Sequence, residues 1–326
     1  MTTWITRHDV EIAVGLIVAT LLVCAPVWRA EYVYEDRQTV QAVTASPHAP
    51  QLFARRGVTA WSYYLLGPSS SVQHGANVWL HLVNGFLVGV LARSLGLPWW
   101  IATGLFLFWP TQMQAVAYTA QRSELLSGLG ILSAALALRS RVWWGVLLGA
   151  AVAIGAKESG VVVVPLLGLL LVAWRASQMW APVLGVASVA TAMLPLAIDL
   201  NAATSATAWE WASLQAAGIW RMWVGWPLGQ SIEHHIQTVP VAWQHVALVA
   251  WLWVGVGSAY ALRRWPSVGL GLCWLWLALV PRLLVQTQWT LIAEHQFYTA
   301  TMGLGLAIAG LLAEPAVAVR HLRRVA

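Results

Sequence analysis

Charged residues are scarce in this sequence: only 9% of its residues are Asp, Glu, Lys or Arg, whereas about a quarter are charged in a soluble domain. Because 59% of the residues are hydrophobic, this scarcity excludes an ordinary soluble fold and indicates a protein whose solvent is lipid. Cysteine is also rare. The two cysteines, Cys24 and Cys273, both lie in apolar segments, so no disulfide framework is predicted.

A basic stripe is missing as well, although the formal net charge is +6. The arginines stand singly between apolar runs, which argues against nucleic acid as a partner. Tryptophan, by contrast, is abundant, with 23 copies. The indole ring has an apolar body and one N–H group, and such rings collect where a membrane meets water.

The apolar segments predict an all-α, polytopic integral membrane protein that forms a single domain over residues 1–326. A membrane-spanning helix needs about 20 mostly apolar residues, and shorter helices suffice where neighbouring protein covers their ends. About ten segments qualify on this basis. They are 12–28, 75–92, 98–112, 121–138, 142–156, 160–174, 181–198, 242–262, 267–285 and 297–313.

Two long connections remain, 29–74 and 199–241, and both are non-cytoplasmic if the N-terminus is cytoplasmic. Both termini and ten of the 18 basic residues then lie on the cytoplasmic side, most of the latter in short turns, as the positive-inside rule expects. We therefore expect a multi-pass protein of the bacterial inner membrane.

The acidic residues divide unevenly in this orientation. Of twelve acids, only Asp9, Glu11 and Glu314 are cytoplasmic. Acidic residues contribute little to membrane orientation, so insertion rules do not explain the division. It predicts a polar cavity on the outer side. The outer acids are Glu31, Glu35, Asp36, Glu124, Glu158, Asp199, Glu210, Glu233 and Glu294.

Charged residues form four clusters at the outer ends of predicted spans, where burying a charge costs at least ~2.5 kcal/mol on insertion scales. A helix N-terminus attracts anions, and a cation beside it strengthens that attraction. Adjacent carboxylates can supply a base or bind a cation. Solvated loop charges or ion pairs at helix starts are the alternative interpretation. The clusters are Glu35 with Asp36, Arg122 with Glu124, Lys157 with Glu158, and Glu294 with His295.

The second predicted span carries four polar residues on one face, because His74, Asn77, His81 and Asn84 are spaced by three, four and three. That face must contact protein or water, and hydrogen bonding between helices is the favoured interpretation. Two histidines seven residues apart do not form a compact metal pair. No metal site is predicted here or at 233–235, where adjacent histidines project differently.

Five tryptophans occur between Trp209 and Trp226, together with Glu210 and Arg221. This mixed pattern favours a helix lying at the membrane interface, over the outer cavity. A loop anchored by aromatic residues is the alternative.

Taken in order, several motifs resemble the membrane part of the C-type (GT-C) glycosyltransferases, especially the O-mannosyltransferase-like proteins with tetratricopeptide repeats. The resemblance covers most of the chain. It rests on the acidic pair after the first span and on HGANVWLHLVN, WPTQMQAVAYTAQRSELL, KESGVVVVP, WVGWPLG and AEHQFYTATMGLGLAIAG. It implies an enzyme that transfers a sugar, with inversion, from a polyprenyl-phosphate lipid to an acceptor on the non-cytoplasmic side.

The resemblance also implies roles for particular residues. Asp36, together with Glu35, matches the family's acid in the first outer loop, which orients or deprotonates the acceptor. The candidates for holding the lipid phosphate are Arg122, Lys157 and Arg282. The resemblance leaves open whether a divalent cation also takes part. The other polar residues expected to line the cavity are His74, His81, Glu124, Glu158, Glu294, His295 and Tyr298.

The chain departs from the family pattern at three positions and lacks the repeats between residues 1 and 326. The family usually has a histidine and a glutamate at the positions of Gln112 and Gln114, and an arginine at that of His295. Loss of a carboxylate removes charge and the capacity to accept a proton. Two alternatives therefore accompany the transferase: a catalytically silent membrane subunit of a larger complex, and a transporter of lipids or solutes.

Overall fold

The structure is a computed structural model that describes residues 6–32, 35–46, 48–51, 56–174, 183–187, 208–225, 241–284 and 294–313. Within these ranges it contains helices and no strand, which confirms the all-α prediction. The α-helices, which we number in chain order, are α1 (Arg7–Trp28), α2 (Glu35–Thr44), α3 (Gly57–Leu66), α4 (Ser70–Ser94), α5 (Trp99–Phe108), α6 (Gln112–Ala117), α7 (Arg122–Arg139), α8 (Trp143–Ala156), α9 (Val163–Trp174), α10 (Ala208–Gly225), α11 (Val241–Arg264), α12 (Pro266–Leu284) and α13 (Tyr298–Leu312). Short 3-10 turns at Thr119–Gln121, Glu158–Val162 and Glu294–Phe297 precede α7, α9 and α13, and 183–187 is also helical.

Within the described residues, three helices are long and apolar enough to cross a membrane, namely α1, α4 and α11. Shorter apolar helical stretches occur at Trp99–Phe108, Trp143–Ala156, Glu158–Trp174 and Pro266–Pro281. The outer surface of α1 is apolar: Val14 is 53% exposed and Leu22 is 70% exposed. Such a surface is stable next to lipid tails and costly in water.

Small residues let neighbouring helices approach until their backbones touch. A Cβ atom added at Gly130 of α7 would lie 2.4 Å from the backbone nitrogen of Ala153 in α8. One added at Gly303 of α13 would lie 2.5 Å from the backbone oxygen of Gly271 in α12. In lipid the hydrophobic effect does not drive apolar helices to associate, so close packing of this kind holds them together.

The connection predicted at 29–74 is largely helical. It contains α2 and α3, and α4 begins at Ser70, several residues before the apolar run from which its start was predicted. The hydroxyl of Thr59 in α3 donates a hydrogen bond to the Ala156 carbonyl at the end of α8, at 2.9 Å. The connection therefore folds back onto the ends of the longer helices.

The tryptophan-rich segment forms α10, as its pattern favoured, and packs against α11. The Trp220 indole donates a hydrogen bond to the Ala247 carbonyl at 2.9 Å. The remainder of 199–241, like most of the predicted span 181–198, lies outside the described residues.

The two ends of the bundle carry different polar groups. At one end, Asp9 of α1 accepts a hydrogen bond from the Trp99 indole at 2.7 Å and pairs with Arg93 at 3.3 Å. At the other end, α2, α3 and the 3-10 turns meet the starts of α7 and α9. This second end, called the turn end below, collects most of the residues singled out in the sequence.

Candidate active site

Asp36 lies near the start of α2 and is fully buried. Its Oδ2 atom accepts a hydrogen bond from the Thr119 backbone N–H at 3.1 Å, and its Oδ1 atom accepts one from the Ala120 N–H at 2.6 Å. These donors belong to the turn that leads into α7, where backbone N–H groups have no intrahelical acceptor. The carboxylate is therefore held in one orientation. The neighbouring Glu35 side chain is outside the described set.

Arg122 begins α7 and is also fully buried. Its Nε atom donates to the Asn77 side-chain oxygen at 2.8 Å, and Nη2 donates to the Gln73 carbonyl at 2.6 Å. The guanidinium carbon lies 4.9 Å from the centre of the Tyr63 ring, a cation–π distance. The third nitrogen, Nη1, is buried and has no hydrogen-bond partner among the described residues.

Tyr63 and His74 complete a group that we call the Asp36 cluster, which consists of Asp36, Tyr63, His74, Thr119 and Arg122. The Tyr63 hydroxyl donates to the Thr119 carbonyl at 2.9 Å, and burial raises the pKa of this hydroxyl, so it remains a neutral donor. His74 is fully buried, and its Nδ1 atom lies 3.5 Å from the Thr119 hydroxyl. The cluster places a carboxylate and a guanidinium at one backbone turn, because Asp36 accepts hydrogen bonds from the turn and Arg122 directly follows it.

Lys157 and Glu124 form an ion pair in which both side chains are almost completely buried, at 6% and 5% exposure. Glu158, the next residue, pairs instead with Arg56 from the first connection, at 3.0 Å. The charge of Lys157 is thus balanced within the protein. Arg122, also predicted to hold a phosphate, has a buried N–H with no partner among the described residues. The side chain of the third predicted cation, Arg282, is outside the described set.

His81, Asn84 and Tyr298 form a separate buried network between α4 and α13. The His81 Nε2 atom lies 3.1 Å from the Leu107 carbonyl, which can only accept, so Nε2 carries the hydrogen. Nδ1 then accepts from the Tyr298 hydroxyl at 3.1 Å, and the Asn84 amide donates to the same hydroxyl at 3.0 Å. These bonds, with those of Asn77, confirm hydrogen bonding between helices for the polar face of α4.

Two of the three positions that depart from the family pattern contact one another. The Gln114 side-chain oxygen accepts a hydrogen bond from the His295 backbone N–H at 2.9 Å and lies 3.1 Å from its ring Nδ1. The third, Gln112, donates from Nε2 to the Thr301 hydroxyl. Glu294 is in the same turn as His295, but its side chain is not among those described.

Two members of the Asp36 cluster, Tyr63 and Thr119, were not predicted from the sequence as site residues. Tyr63 lies in no motif, and the contribution of Thr119 and Ala120 comes from backbone N–H groups that carry no side-chain signal. Asn77 was recognised as polar and helix-facing, but not as the partner of Arg122. No three His, Cys, Asp or Glu residues in the described ranges are close enough to hold a metal ion.

Comparison of the chain with protein-family models, with curated proteins and with solved structures finds no match. The interpretation of the site therefore depends on its own chemistry.

Proposed function

We propose that this protein is an inverting glycosyltransferase that uses a polyprenyl-phosphate-linked sugar at the non-cytoplasmic face of the bacterial inner membrane. In this proposal it crosses the bilayer about ten times. One observation carries the proposal: a buried carboxylate, Asp36, is bound by the same turn that a buried guanidinium with an N–H unpartnered among the described residues, Arg122, directly follows. Burying both is costly, and a reaction that needs both explains the cost.

The reaction needs a base on one side of the sugar and a cation on the other. A hydroxyl of the acceptor attacks the anomeric carbon, and its proton passes to the Asp36 carboxylate. The bond between the anomeric carbon and the phosphate oxygen breaks, and polyprenyl phosphate leaves with the electron pair. Negative charge grows on that phosphate, so a fixed cation such as Arg122 stabilises the transition state most in a site with little water.

Arg122 is the best candidate for the phosphate because its position is fixed before any ligand binds. Two of its nitrogens are engaged with Asn77 and Gln73, which leaves Nη1 to donate to an oxygen of the ligand. Preorganised donors of this kind cost no reorganisation during the reaction. Lys157 is less suitable, since it would first have to leave Glu124.

The experiment is transfer of labelled sugar from polyprenyl-phosphate donors by the purified protein in lipid, comparing the native chain with Asp36→Asn. Asp9→Asn is the matched control, because Asp9 also accepts several hydrogen bonds but lies at the opposite end of the bundle. We expect Asp36→Asn to lower kcat by at least about a hundredfold, the usual contribution of a general base, and Asp9→Asn to change it little. Unfolding of both variants is measured alongside, so that a folding defect is recognised.

A catalytically silent subunit is the second candidate, and one observation favours it. Both oxygens of Asp36 already accept backbone hydrogen bonds, which anchors the first connection to the start of α7 without any substrate. In that case Asp36→Asn would lower stability as Asp9→Asn does, and the native chain would transfer no sugar from any donor.

A further inference from the structure

A groove lies between α1, α4 and α5 at the end of the bundle opposite the turn end. Its volume is about 470 Å³, and its apolar lining includes Val10 and Val14 of α1, Phe86 and Val90 of α4, and Trp99 of α5. The three valines are each about half exposed, so the groove is open on its outer side. In a membrane-spanning bundle that side faces lipid.

The walls of this groove are held in place by contacts within the protein. The Trp99 indole donates a hydrogen bond to Asp9 at 2.7 Å, which joins α5 to α1. The rings of Trp99 and Phe86 lie 6.5 Å apart. Gly89 also lines the groove, and a Cβ atom added there would collide with the Thr103 hydroxyl, so the glycine allows α4 and α5 to approach. The groove is therefore formed before any ligand enters it, which lowers the cost of binding.

The apolar surface continues from the groove along both long helices. Val18 and Leu22 follow Val14 at intervals of four residues on α1, and Val83 precedes Val90 by seven on α4, so they extend the same helix faces. All three are exposed. Because α1 begins and α4 ends beside the groove, the two helices run antiparallel, and both apolar faces lead away from it toward the middle of the bundle. An extended hydrocarbon chain can follow this path.

Charged groups stand at the outer end of the groove, where Arg93 and Asp9 are part of its lining. The Arg93 Nη2 atom pairs with Asp9 at 3.3 Å, and the Arg93 side chain is 35% exposed, against 18% for Asp9. A guanidinium has five N–H donors, so an anion at this exposed position can bind Arg93 without replacing the contacts that it makes within the protein. The groove thus combines an apolar body with a cation at one end.

We propose that this groove binds a membrane phospholipid, whose acyl chain lies between α1 and α4 and whose phosphate accepts a hydrogen bond from Arg93. The phospholipid has the same order of parts as the groove, an anionic group at the interface and a hydrocarbon chain below it. A helix of a second copy is about 10–12 Å wide with its side chains, so it would cover the groove without filling it. The site is independent of the proposed transferase function.

Native mass spectrometry of the purified full chain in detergent tests the acyl-chain part. The probe is palmitoyl-oleoyl phosphatidylethanolamine. Val14→Trp fills the groove and leaves Arg93 and Asp9 unchanged, while Val256→Trp, at a similarly exposed valine of α11, is the matched control. We expect Val14→Trp to weaken binding by at least about tenfold, a factor that the loss of two buried methylene groups already gives, and Val256→Trp to have no effect. Binding that is unchanged in Val14→Trp would overturn the proposal, as would a dimer of the native chain that Val14→Trp abolishes, because the groove would then belong to a second copy.

A second probe, palmitoyl-oleoyl glycerol, tests the phosphate part because it has the same chains and no phosphate. Arg93→Met should weaken binding of the phospholipid by about tenfold, the value of one hydrogen bond to a charged group, and leave binding of the glycerol lipid unchanged. Arg263→Met, at an exposed arginine in the last turn of α11, is the control. Arg93→Lys keeps a cation and should retain most of the binding, which separates loss of the phosphate contact from any folding defect of Arg93→Met. Equal binding of the two probes to the native chain would refute the role of Arg93.

Discussion

The ion pair between Lys157 and Glu124 allows a sharp test of whether a buried cation is structural or functional. Lys157→Met removes one charge and leaves the Glu124 carboxylate in a site where the side chains are only 6% and 5% exposed. Breaking a buried pair in this way costs about 3–5 kcal/mol. Since 1.4 kcal/mol is tenfold, the unfolding constant should rise by at least about a hundredfold. Glu124→Met should cost a similar amount.

The double variant distinguishes the cost of leaving one buried charge without its partner from the cost of losing the ion pair as a whole. Replacing both charged groups with apolar side chains of similar size is often neutral or stabilising, so Lys157→Met with Glu124→Met should be close to the native stability. The two single effects would then be strongly non-additive, as expected for residues in contact. Unfolding is followed in lipid-detergent micelles through the 23 tryptophans as a denaturing detergent is added.

A second ion pair in the same region provides the control. Arg56 and Glu158 are 3.0 Å apart, but their side chains are 45% and 18% exposed. Pairs with such exposure contribute up to about 1 kcal/mol, so Arg56→Met should have a much smaller effect than Lys157→Met. The reasoning fails if Arg56→Met destabilises the protein as much as Lys157→Met does. It also fails if the Lys157→Met, Glu124→Met double variant is no more stable than Lys157→Met alone.

Two further substitutions test the packing of the bundle by the same unfolding measurement. Tyr298→Phe removes the hydroxyl that accepts from the buried Asn84 amide, and should cost about 1–3 kcal/mol; a loss near zero would mean that water or another group replaces the hydroxyl. Gly130→Ala places a Cβ atom 2.4 Å from the Ala153 backbone and should destabilise by about 1–3 kcal/mol, whereas Gly168→Ala, which meets nothing within 4 Å, should be neutral or stabilising. Equal effects of the two alanines would contradict the close approach of α7 and α8.

The long helices were predictable because their apolar runs are bounded by polar or turn-forming residues. The fourth predicted span, 121–138, corresponds to α7, which occupies Arg122–Arg139. Three short helices, α2, α3 and α6, were not predicted, because they have ten residues or fewer and lack the long apolar run that predicted the equally short α5. Isolated helices of that length are marginal and depend on tertiary contacts, which leave no periodic pattern in the sequence.

In the candidate site, the charged side chains could be predicted from the sequence, but the groups that bind them could not. A buried charge in an apolar sequence is conspicuous, so Asp36, Arg122 and Lys157 were identified from the sequence. Their partners were not, because a backbone N–H group such as that of Ala120 can come from any residue type. Pairing Lys157 with Glu124 required knowing that the starts of two helices lie side by side, which depends on how the helices pack.

Under the proposed glycosyltransferase function, the contact between Gln114 and His295 gives a new interpretation of two positions that differ from the expected family pattern. From the sequence, a glutamine in place of a glutamate is a lost carboxylate. In the structure, the Gln114 oxygen accepts two N–H groups, and an amide oxygen does this as a carboxylate oxygen does. A glutamate with an arginine and a glutamine with a histidine are each balanced in charge when the imidazole is neutral. Under the proposed function, the two replacements remove two opposite charges and leave the net charge of the pair at zero, and the hydrogen bonds between Gln114 and His295 still join α6 to the turn before α13.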